Sequence, residues 1–175
     1  MSRKVLTAML VGTGFSLLGQ AAVAQTPTLE QLPAAIKPPG QTVYLEVPAN
    51  GVQIYTCGKN AAGAWAWNFK GPEAELFDTA KKKIGKHYGG PTWESNDGAK
   101  VVGGVKANAP APGGNAIPWL WLEIKSSEGS GPFNQAKGIL RVSTTAGTAP
   151  TSGCDEANNG KESRVDYTAT YLFLK

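Results

Sequence analysis

Ile117-Pro-Trp-Leu-Trp-Leu-Glu-Ile-Lys125 has the clearest strand pattern in this sequence, and it decides the fold class. Successive side chains on a strand point to opposite faces, so the aliphatic residues share one face. They are Leu120, Leu122 and Ile124. Trp119 and Trp121 occupy the other face, which leaves both faces apolar. We therefore expect a central strand whose leucine face packs in the core, while the indoles pack in a second layer or bind a ligand.

Alternation with a period of two recurs on both sides of this strand. The segments with this pattern are 43–47, 52–57, 65–69, 138–144 and 164–174. Pro48-Ala-Asn-Gly51 separates the first two segments and predicts the turn of a hairpin. Residues 71–78 carry the signals of one helical turn, because Pro72 suits the first helical position. Such a turn is too short to pack as a layer, so the sequence predicts an all-β fold, an antiparallel β-sandwich or barrel.

The N-terminus is typical of a secretory signal. Arg3 and Lys4 precede an apolar run over residues 5–18, and Ala22-Val-Ala24 supplies the small residues of a cleavage site. The run is shorter than the roughly 20 apolar residues that span a bilayer. We predict three segments: a signal peptide at 1–24, an extended Pro-rich lead-in at 25–40 and a single β domain at 41–175. The mature protein is then periplasmic or extracellular, with no transmembrane segment after signal cleavage.

The charge balance argues against nucleic acid as a partner. The 175 residues include 17 Lys and Arg and 13 Asp and Glu, which gives a formal net charge of +4. Loss of Arg3 and Lys4 with the signal lowers the net charge to +2, and the remaining charges are mixed along the chain. The dense lysine run at 81–86 is a solvated face or a weak attraction for anionic cell-envelope polymers.

Cys57 and Cys154 are the only cysteines. Export places them in an oxidising compartment, where thiols form disulfides, so we predict that they are bonded to each other. The loop-entropy model assigns about 4.7 kcal/mol to a bridge that closes a loop of roughly 100 residues. A redox or metal pair would need a Cys-x-x-Cys spacing, which this sequence lacks.

His87-Tyr-Gly-Gly-Pro-Thr-Trp-Glu-Ser-Asn-Asp-Gly98 concentrates the unusual residues of the chain, including its single histidine. One hypothesis is general acid and base catalysis by His87 with Glu94 or Asp97. An imidazole titrates near neutral pH, and a neighbouring carboxylate would orient it. We expect His87 to be partly accessible and to lie close to a carboxylate or a tyrosine, because the glycines on either side turn the chain.

The alternative for this stretch is a structural role. Asp97-Gly98 is a favoured hairpin turn, and Gly89-Gly-Pro91 bends the chain. Tyr88 and Trp93 then fill the core. The spacing of the residues does not distinguish this role from catalysis.

Neither a metal nor a cofactor is predicted. Zinc sites usually need three or four ligands rich in His or Cys, and one histidine with two bonded cysteines supplies too few. The sequence also lacks the Gly-x-Gly-x-x-Gly, Walker, Gly-x-Ser-x-Gly and His-Glu-x-x-His motifs.

Aromatic side chains form the second candidate site. Trp119 and Trp121, together with Tyr88 and Trp93 of the histidine stretch, are the candidate ligand-binding residues. An apolar face of this size is costly in water unless another layer or a partner covers it. Because indoles stack on sugar rings, the expected partner is a cell-envelope polymer such as a glycan, or a small-molecule ligand.

Several separate motifs occur in an order that resembles a known family. They are Gly51–Cys57, Trp67–Asp78, His87–Glu94 with Asp97-Gly98, Arg141–Thr144, Gly153-Cys154 and Tyr167–Phe173. The sequence resembles the secreted bacterial and fungal proteins of the family called domain of unknown function 3455, over nearly the whole mature chain. The resemblance implies secretion, and it brings no established activity, cofactor or catalytic residue.

The sequence is compatible with two functions. The favoured one is an exported binding or cell-envelope-associated module with a glycan-type ligand, which requires a shallow aromatic surface. The alternative is a small hydrolase or isomerase that uses His87 with Glu94 or Asp97. That enzyme requires a cleft in which these three side chains converge.

Overall fold

The chain forms an eight-stranded antiparallel β-barrel. The computed structural model describes residues 25–175, so the predicted signal peptide at 1–24 lies outside the described residues. The strands are β1 Val43–Lys59, β2 Trp65–Phe77, β3 Lys83–Tyr88, β4 Thr92–Ser95, β5 Lys100–Ala109, β6 Trp119–Glu128, β7 Gly138–Ala146 and β8 Glu162–Leu174. Each strand pairs with its neighbours in sequence, and β1 closes the barrel by pairing with β8. The predicted all-β antiparallel fold is confirmed, in its barrel form.

The hairpin predicted for residues 43–57 is wrong. β1 runs without a break from Val43 to Lys59 and pairs with β8 from Val43 to Thr56. Pro48 is compatible with this strand because pairing of β1 with β2 begins only at Ala49, so the missing N–H of the proline lies where β1 has one paired neighbour. Gly51 is required where β2 approaches closely, since an added Cβ would lie 2.1 Å from the carbonyl oxygen of Glu73.

The helical turn considered for residues 71–78 is also wrong, because β2 continues through this segment to Phe77. Pro72 again lies one residue before a second ladder begins, since β2 pairs with β3 only from Glu73 onward. Pairing with β1 and β3 satisfies the backbone of this segment, and that outweighs a local preference for a helical turn.

One end of the barrel is closed by an aromatic side chain. A 3₁₀ turn at Pro132–Gln135, between β6 and β7, carries Phe133 into the interior, where it is buried. Its ring stacks on Phe173 with 4.6 Å between ring centroids, and Phe173 in turn lies 6.5 Å from the ring of Trp93. We call this the closed end.

The two indoles of β6 lie in a second layer outside the barrel. Trp119 is buried and Trp121 is half-buried, in a cluster with Leu140 and Leu172 of the barrel wall. Residues of the lead-in cover this cluster: Leu29, Leu32 and Ile36. The lead-in contains two 3₁₀ turns, Leu29–Gln31 and Ala34–Ile36, and packs on the wall through these apolar residues. We expected the indoles of β6 either to pack in a second layer or to bind a ligand, and in the structure they pack in a second layer.

The predicted disulfide between Cys57 and Cys154 is confirmed. The two Cα atoms lie 5.3 Å apart across a sequence separation of 97 residues. The bridge ties the loop between β7 and β8 to the last residues of β1, at the end of the barrel opposite Phe133. Such a bond is typical of an oxidising, extracellular-type compartment. Within residues 25–175, no helix has the length and apolar character needed to cross a membrane.

Candidate functional site

The end of the barrel opposite Phe133 holds a cavity of about 170 Å³. We call this cavity the mouth. Its lining includes Phe69, Val105 and Pro91 at the rim and Leu120, Leu122, His87 and Arg141 further in. At about 30 Å³ for each water molecule of liquid, the mouth has room for roughly five or six waters. It is therefore large enough for a small organic molecule and too small for a polymer to enter.

Arg141 is the only Arg, Lys, Asp or Glu among the described residues that is buried, with 9% of its surface exposed. Strand alternation places it on the inward face of β7, two residues after the core residue Ile139. Its Nε and Nη2 atoms donate to the carbonyl oxygen of Pro118 at 3.1 and 2.9 Å. No ion pair within residues 25–175 includes Arg141. Burial lowers the pKa of its guanidinium, yet an arginine stays protonated in proteins, so the mouth contains a positive charge.

His87 lies beside this charge and is neutral. Its Nδ1 atom is 2.8 Å from the carbonyl oxygen of Thr92, and because a carbonyl only accepts, we assign the proton to Nδ1. Nε2 is then a hydrogen-bond acceptor, without a partner among the described residues. The pKa of the imidazole falls from 6.5 to about 3, because burial and the nearby charge of Arg141 lower it more than the Thr92 hydrogen bond raises it.

The expectation that His87 is partly accessible is wrong, since only 3% of its surface is exposed. The physical reason is register: His87 pairs with Trp93 across β3 and β4, and both side chains point into the barrel. Their rings stack with 4.5 Å between centroids. The expectation of a neighbouring tyrosine is confirmed, because the ring of Tyr171 lies 4.9 Å away.

The tyrosines near Arg141 carry no compensating charge. The hydroxyl groups of Tyr167 and Tyr171 lie 3.2 Å apart, and the Tyr55 hydroxyl donates to the carbonyl oxygen of Gly147 at 2.7 Å. Burial raises the pKa of all three phenols above the usual value of 10. They are therefore neutral at physiological pH, and the charge of Arg141 is unbalanced by its surroundings.

Two apolar side chains at the rim of the mouth are exposed. Phe69 and Val105 have 57% and 56% of their surfaces exposed, the highest values among the large hydrophobic side chains that the structure describes. Single exposed hydrophobic residues are ordinary on protein surfaces. Here the two most exposed ones border the same cavity.

The structure does not bring Glu94 to His87. Strand alternation places Glu94 on the outer face of β4, opposite Lys86 of β3. There its carboxylate lies 3.2 Å from the Lys86 ammonium and accepts a hydrogen bond from the Tyr88 hydroxyl at 2.6 Å. Both contacts lower the pKa of Glu94. Glu94 and Tyr88 thus form an outer-face ion and hydrogen-bond group, separated from the imidazole by the barrel wall.

Asp97 lies in the turn between β4 and β5, on the side of the closed end. It accepts a hydrogen bond from the Ser95 hydroxyl, and this bond lowers the pKa of its carboxyl. The backbone of Ser95 also pairs with Ala99, which makes Asp97-Gly98 the predicted hairpin turn. His87, Glu94 and Asp97 therefore occupy the interior, the outer face and a turn.

The four aromatic candidates are also separated. Trp93 is buried in the core, Tyr88 is on the outer face of β3, and Trp119 and Trp121 are in the outer layer. The Lys106 ammonium lies 4.6 Å above the ring of Trp121. The side chains that share the mouth are different ones, chiefly Arg141, Phe69 and Val105.

Sequence reasoning missed Arg141, although a signal for it exists. Gly138-Ile-Leu-Arg-Val142 is an apolar strand with one charge in it, and alternation puts Arg141 on the same face as Ile139. A charge on a core face calls for a partner. The exposure of Phe69 and Val105 has no such signal, because it depends on where the neighbouring strands end.

Among residues 25–175, no group of three His, Cys, Asp or Glu side chains lies close enough to hold a metal ion. Wider depressions also occur on the surface of residues 25–175, among them four of about 410, 490, 340 and 380 Å³. The charged residues of the first are already paired, as Arg164 with Glu73 and Lys86 with Glu94. The mouth differs from this depression because its cation is buried and has no ion-pair partner in the part of the chain that the structure describes.

Comparison with known proteins places the chain in a family. The sequence model of the family described as protein of unknown function (DUF3455) matches residues 38–175, so the chain belongs to this family. The matched region contains every strand of the barrel and begins just after Ile36 of the lead-in. No curated protein and no solved structure matches the chain.

Proposed function

We propose that this member of the DUF3455 family is an exported binding protein that holds a small ligand in the mouth of its barrel. The observation that carries the proposal is the mouth, an open cavity bordered by two exposed apolar side chains, above a buried cation that has no ion-pair partner among residues 25–175. Ligand sites in proteins combine apolar walls with a few polar groups, and the mouths of β-barrels are among their preferred places. An eight-stranded barrel has room for one small ligand.

The disulfide supports export. A bond between Cys57 and Cys154 persists in oxidising compartments and is rare in the cytosol. The signal-like sequence at 1–24 agrees with this location. A protein exported in this way meets small molecules of the cell surroundings, which suits a binding role.

A glycan-type ligand at Trp119 and Trp121 stays a prediction. The lead-in covers these indoles with Leu32 and Ile36, so a glycan would have to displace it. The mouth needs no such displacement, and we therefore favour it over the outer layer.

The enzyme alternative has less support. General acid and base catalysis needs groups within hydrogen-bonding reach of one another, whereas Glu94 lies on the outer face and Asp97 in a turn. An imidazole whose pKa is about 3 is also a weak base at neutral pH.

Nuclear magnetic resonance shift mapping tests the proposed function. Uniformly ¹⁵N-labelled mature protein is titrated with a panel of small apolar molecules, both neutral and acidic. We expect the shifting amides to cluster at Gly90, Val105 and Leu120. Shifts confined to Lys106, Trp121 and the lead-in would contradict binding in the mouth.

A pair of variants on one strand face provides the control. Leu120→Phe fills the mouth, while Ile124→Phe adds the same bulk to the same face of β6 toward the closed end. We expect Leu120→Phe to abolish the ligand-induced shifts and Ile124→Phe to keep them. Equal loss in both variants would mean that the shifts report a change in folding.

A further inference from the structure

We propose that the ligand of the mouth is a small organic carboxylate whose carboxyl group binds to Arg141. This inference rests on the proposed function and adds the chemical class of the ligand. It follows from the charge in the mouth, the free donors of the guanidinium, and the size and walls of the cavity.

The charge of Arg141 has no counter-ion among residues 25–175. A buried charge destabilises a protein unless an opposite charge or strong hydrogen bonds compensate it. The groups around Arg141 are the neutral His87 and the neutral phenols of Tyr167 and Tyr171. Lys70 at the rim adds no net charge, because its ammonium lies 2.5 Å from the carboxylate of Glu162. The missing negative charge is therefore one that a ligand can supply.

The guanidinium of Arg141 also has hydrogen-bond donors that no protein group uses among the described residues. A guanidinium has five N–H groups, and two of those of Arg141 point to the Pro118 carbonyl. The Tyr171 hydroxyl, which lies beside the guanidinium, takes at most one more. At least two donors remain on the Nη1 and Nη2 side, which is the number that a carboxylate accepts in a bidentate pair.

The single charge and the walls of the mouth favour a carboxylate over other anions. One guanidinium balances the single charge of a carboxylate, whereas a phosphate dianion would need a second cation in the mouth. Most of the other lining side chains are apolar, with Leu120 and Leu122 inside and Phe69 at the rim. A volume of about 170 Å³ accepts a compact hydrocarbon group. The mouth therefore fits an acid with a short aliphatic chain or one ring.

Isothermal titration calorimetry with matched acids and amides tests the proposal. The probes are acetate, benzoate and phenylacetate, each compared with its own amide and with inorganic phosphate, on the mature disulfide-bonded protein. An amide has nearly the shape of its acid and lacks the charge. We expect the best acid to bind at least about tenfold more tightly than its amide, because charge-assisted hydrogen bonds are roughly twice as strong as neutral ones.

Two arginine variants locate the interaction. Arg141→Met removes the charge in the mouth and keeps a long apolar side chain, and we expect it to abolish the preference for acid over amide. Arg164→Met is the matched control, since it removes an exposed arginine that pairs with Glu73 on the outer wall. This control should keep at least half of the preference.

A second pair works even if Arg141→Met fails to fold. Val105 is exposed at the rim, so Val105→Glu and Val105→Gln differ by one negative charge and little else. We expect Val105→Glu to bind the acid at least about threefold more weakly than Val105→Gln, with the amides unaffected.

The possible results separate the two proposals. If acids and amides bind equally and both shift amides of the mouth, the carboxylate inference is wrong and the proposed function stands. Tighter binding of phosphate than of every acid would overturn the inference in the same way. If no probe binds in the mouth, both proposals fail.

Discussion

The two ends of this barrel are built from the same eight strands, and their interiors differ in chemistry. At the closed end, Phe133 enters the barrel and stacks on Phe173, and the interior is apolar. At the other end, Arg141 and His87 lie beneath a cavity that no side chain of residues 25–175 fills. Closure of the barrel therefore does not decide whether its interior is packed. The connecting loops decide it.

The loops at the two ends act in opposite ways. The β6–β7 connection contains a 3₁₀ turn that carries a phenylalanine into the barrel. The β3–β4 turn beside the mouth is Gly89-Gly90-Pro91, and two of its three residues have no side chain. Gly90 has φ +82°, a conformation that other residues adopt only with strain. The closed end therefore contributes packing, and the mouth is the end to which the proposed function assigns binding.

Removal of the disulfide should have the largest effect on stability. We expect the Cys57→Ala and Cys154→Ala double variant to lose up to about 4.7 kcal/mol of unfolding free energy, because the unfolded chain regains the freedom of a long loop. Urea unfolding measures this loss. Hydrogen exchange should increase first in residues 147–161, which the bridge ties to the mouth end. An equal increase around Phe133 would contradict a difference between the ends.

Truncation of the closed end should cost nearly as much. Phe133→Ala leaves a cavity in an apolar core, and we expect a loss of about 3–4 kcal/mol in unfolding free energy. Arg141→Met is the corresponding change at the mouth, and we expect it to alter the unfolding free energy by less than about 1 kcal/mol. It leaves the Pro118 carbonyl unpaired but also removes an unbalanced buried charge. If Arg141→Met destabilises as much as Phe133→Ala, the mouth is a structural element.

The imidazole in the mouth should make stability depend on pH. The pKa of His87 is about 3 in the folded protein, and its ordinary value of 6.5 applies in the unfolded chain. Between these values the unfolded chain binds a proton that the folded protein excludes, so stability falls as the pH is lowered from 6.5 to 3. The slope is up to about 1.4 kcal/mol per pH unit for one proton.

The control for this prediction is His87→Gln, which keeps a polar side chain without a titrating group. The carboxylates contribute equally to the parent and the variant, so the difference in slope isolates the imidazole. Identical pH profiles of unfolding free energy would show that His87 titrates in the fold as it does in water.

The rim should have the smallest effect on stability. Phe69→Ser changes an exposed side chain, and we expect a loss below about 1 kcal/mol, together with weaker ligand binding in the mouth. Val43→Ser is the matched control, since Val43 is also exposed but lies at the closed end, at the start of β1. A similar loss of binding in both variants would mean that Phe69 has no direct contact with the ligand.

Much of the fold follows from the sequence because the barrel wall obeys the period of two. The leucine face of β6, the disulfide and the turns at residues 89–91 and 97–98 are all local or compositional features, and they are confirmed. The hairpin predicted at residues 48–51 is wrong because Pro and Gly also occur within strands. Pro suits a place where the strand has one paired neighbour, and Gly suits a place where a neighbouring strand lies very close. Pairing with β8 and β2 decides whether this segment is a turn or a strand, and those strands come from distant parts of the chain.

The site was harder to predict because it depends on where strands end. His87 was identified as unusual, but its burial results from pairing with Trp93. Arg141 was overlooked because a single charge in a strand is common on surfaces. The lead-in has no periodicity, so the sequence did not indicate that Ile36 packs on the wall near Trp119.

A crystal structure of the mature protein grown with benzoate shows whether the mouth binds a carboxylate at Arg141. We predict that the carboxylate lies within hydrogen-bonding distance of Nη1 and Nη2 of Arg141, with the ring between Leu120 and Phe69. Benzoate bound on the outer wall beside Lys106 and Trp121, with the mouth occupied only by water, would contradict the claim.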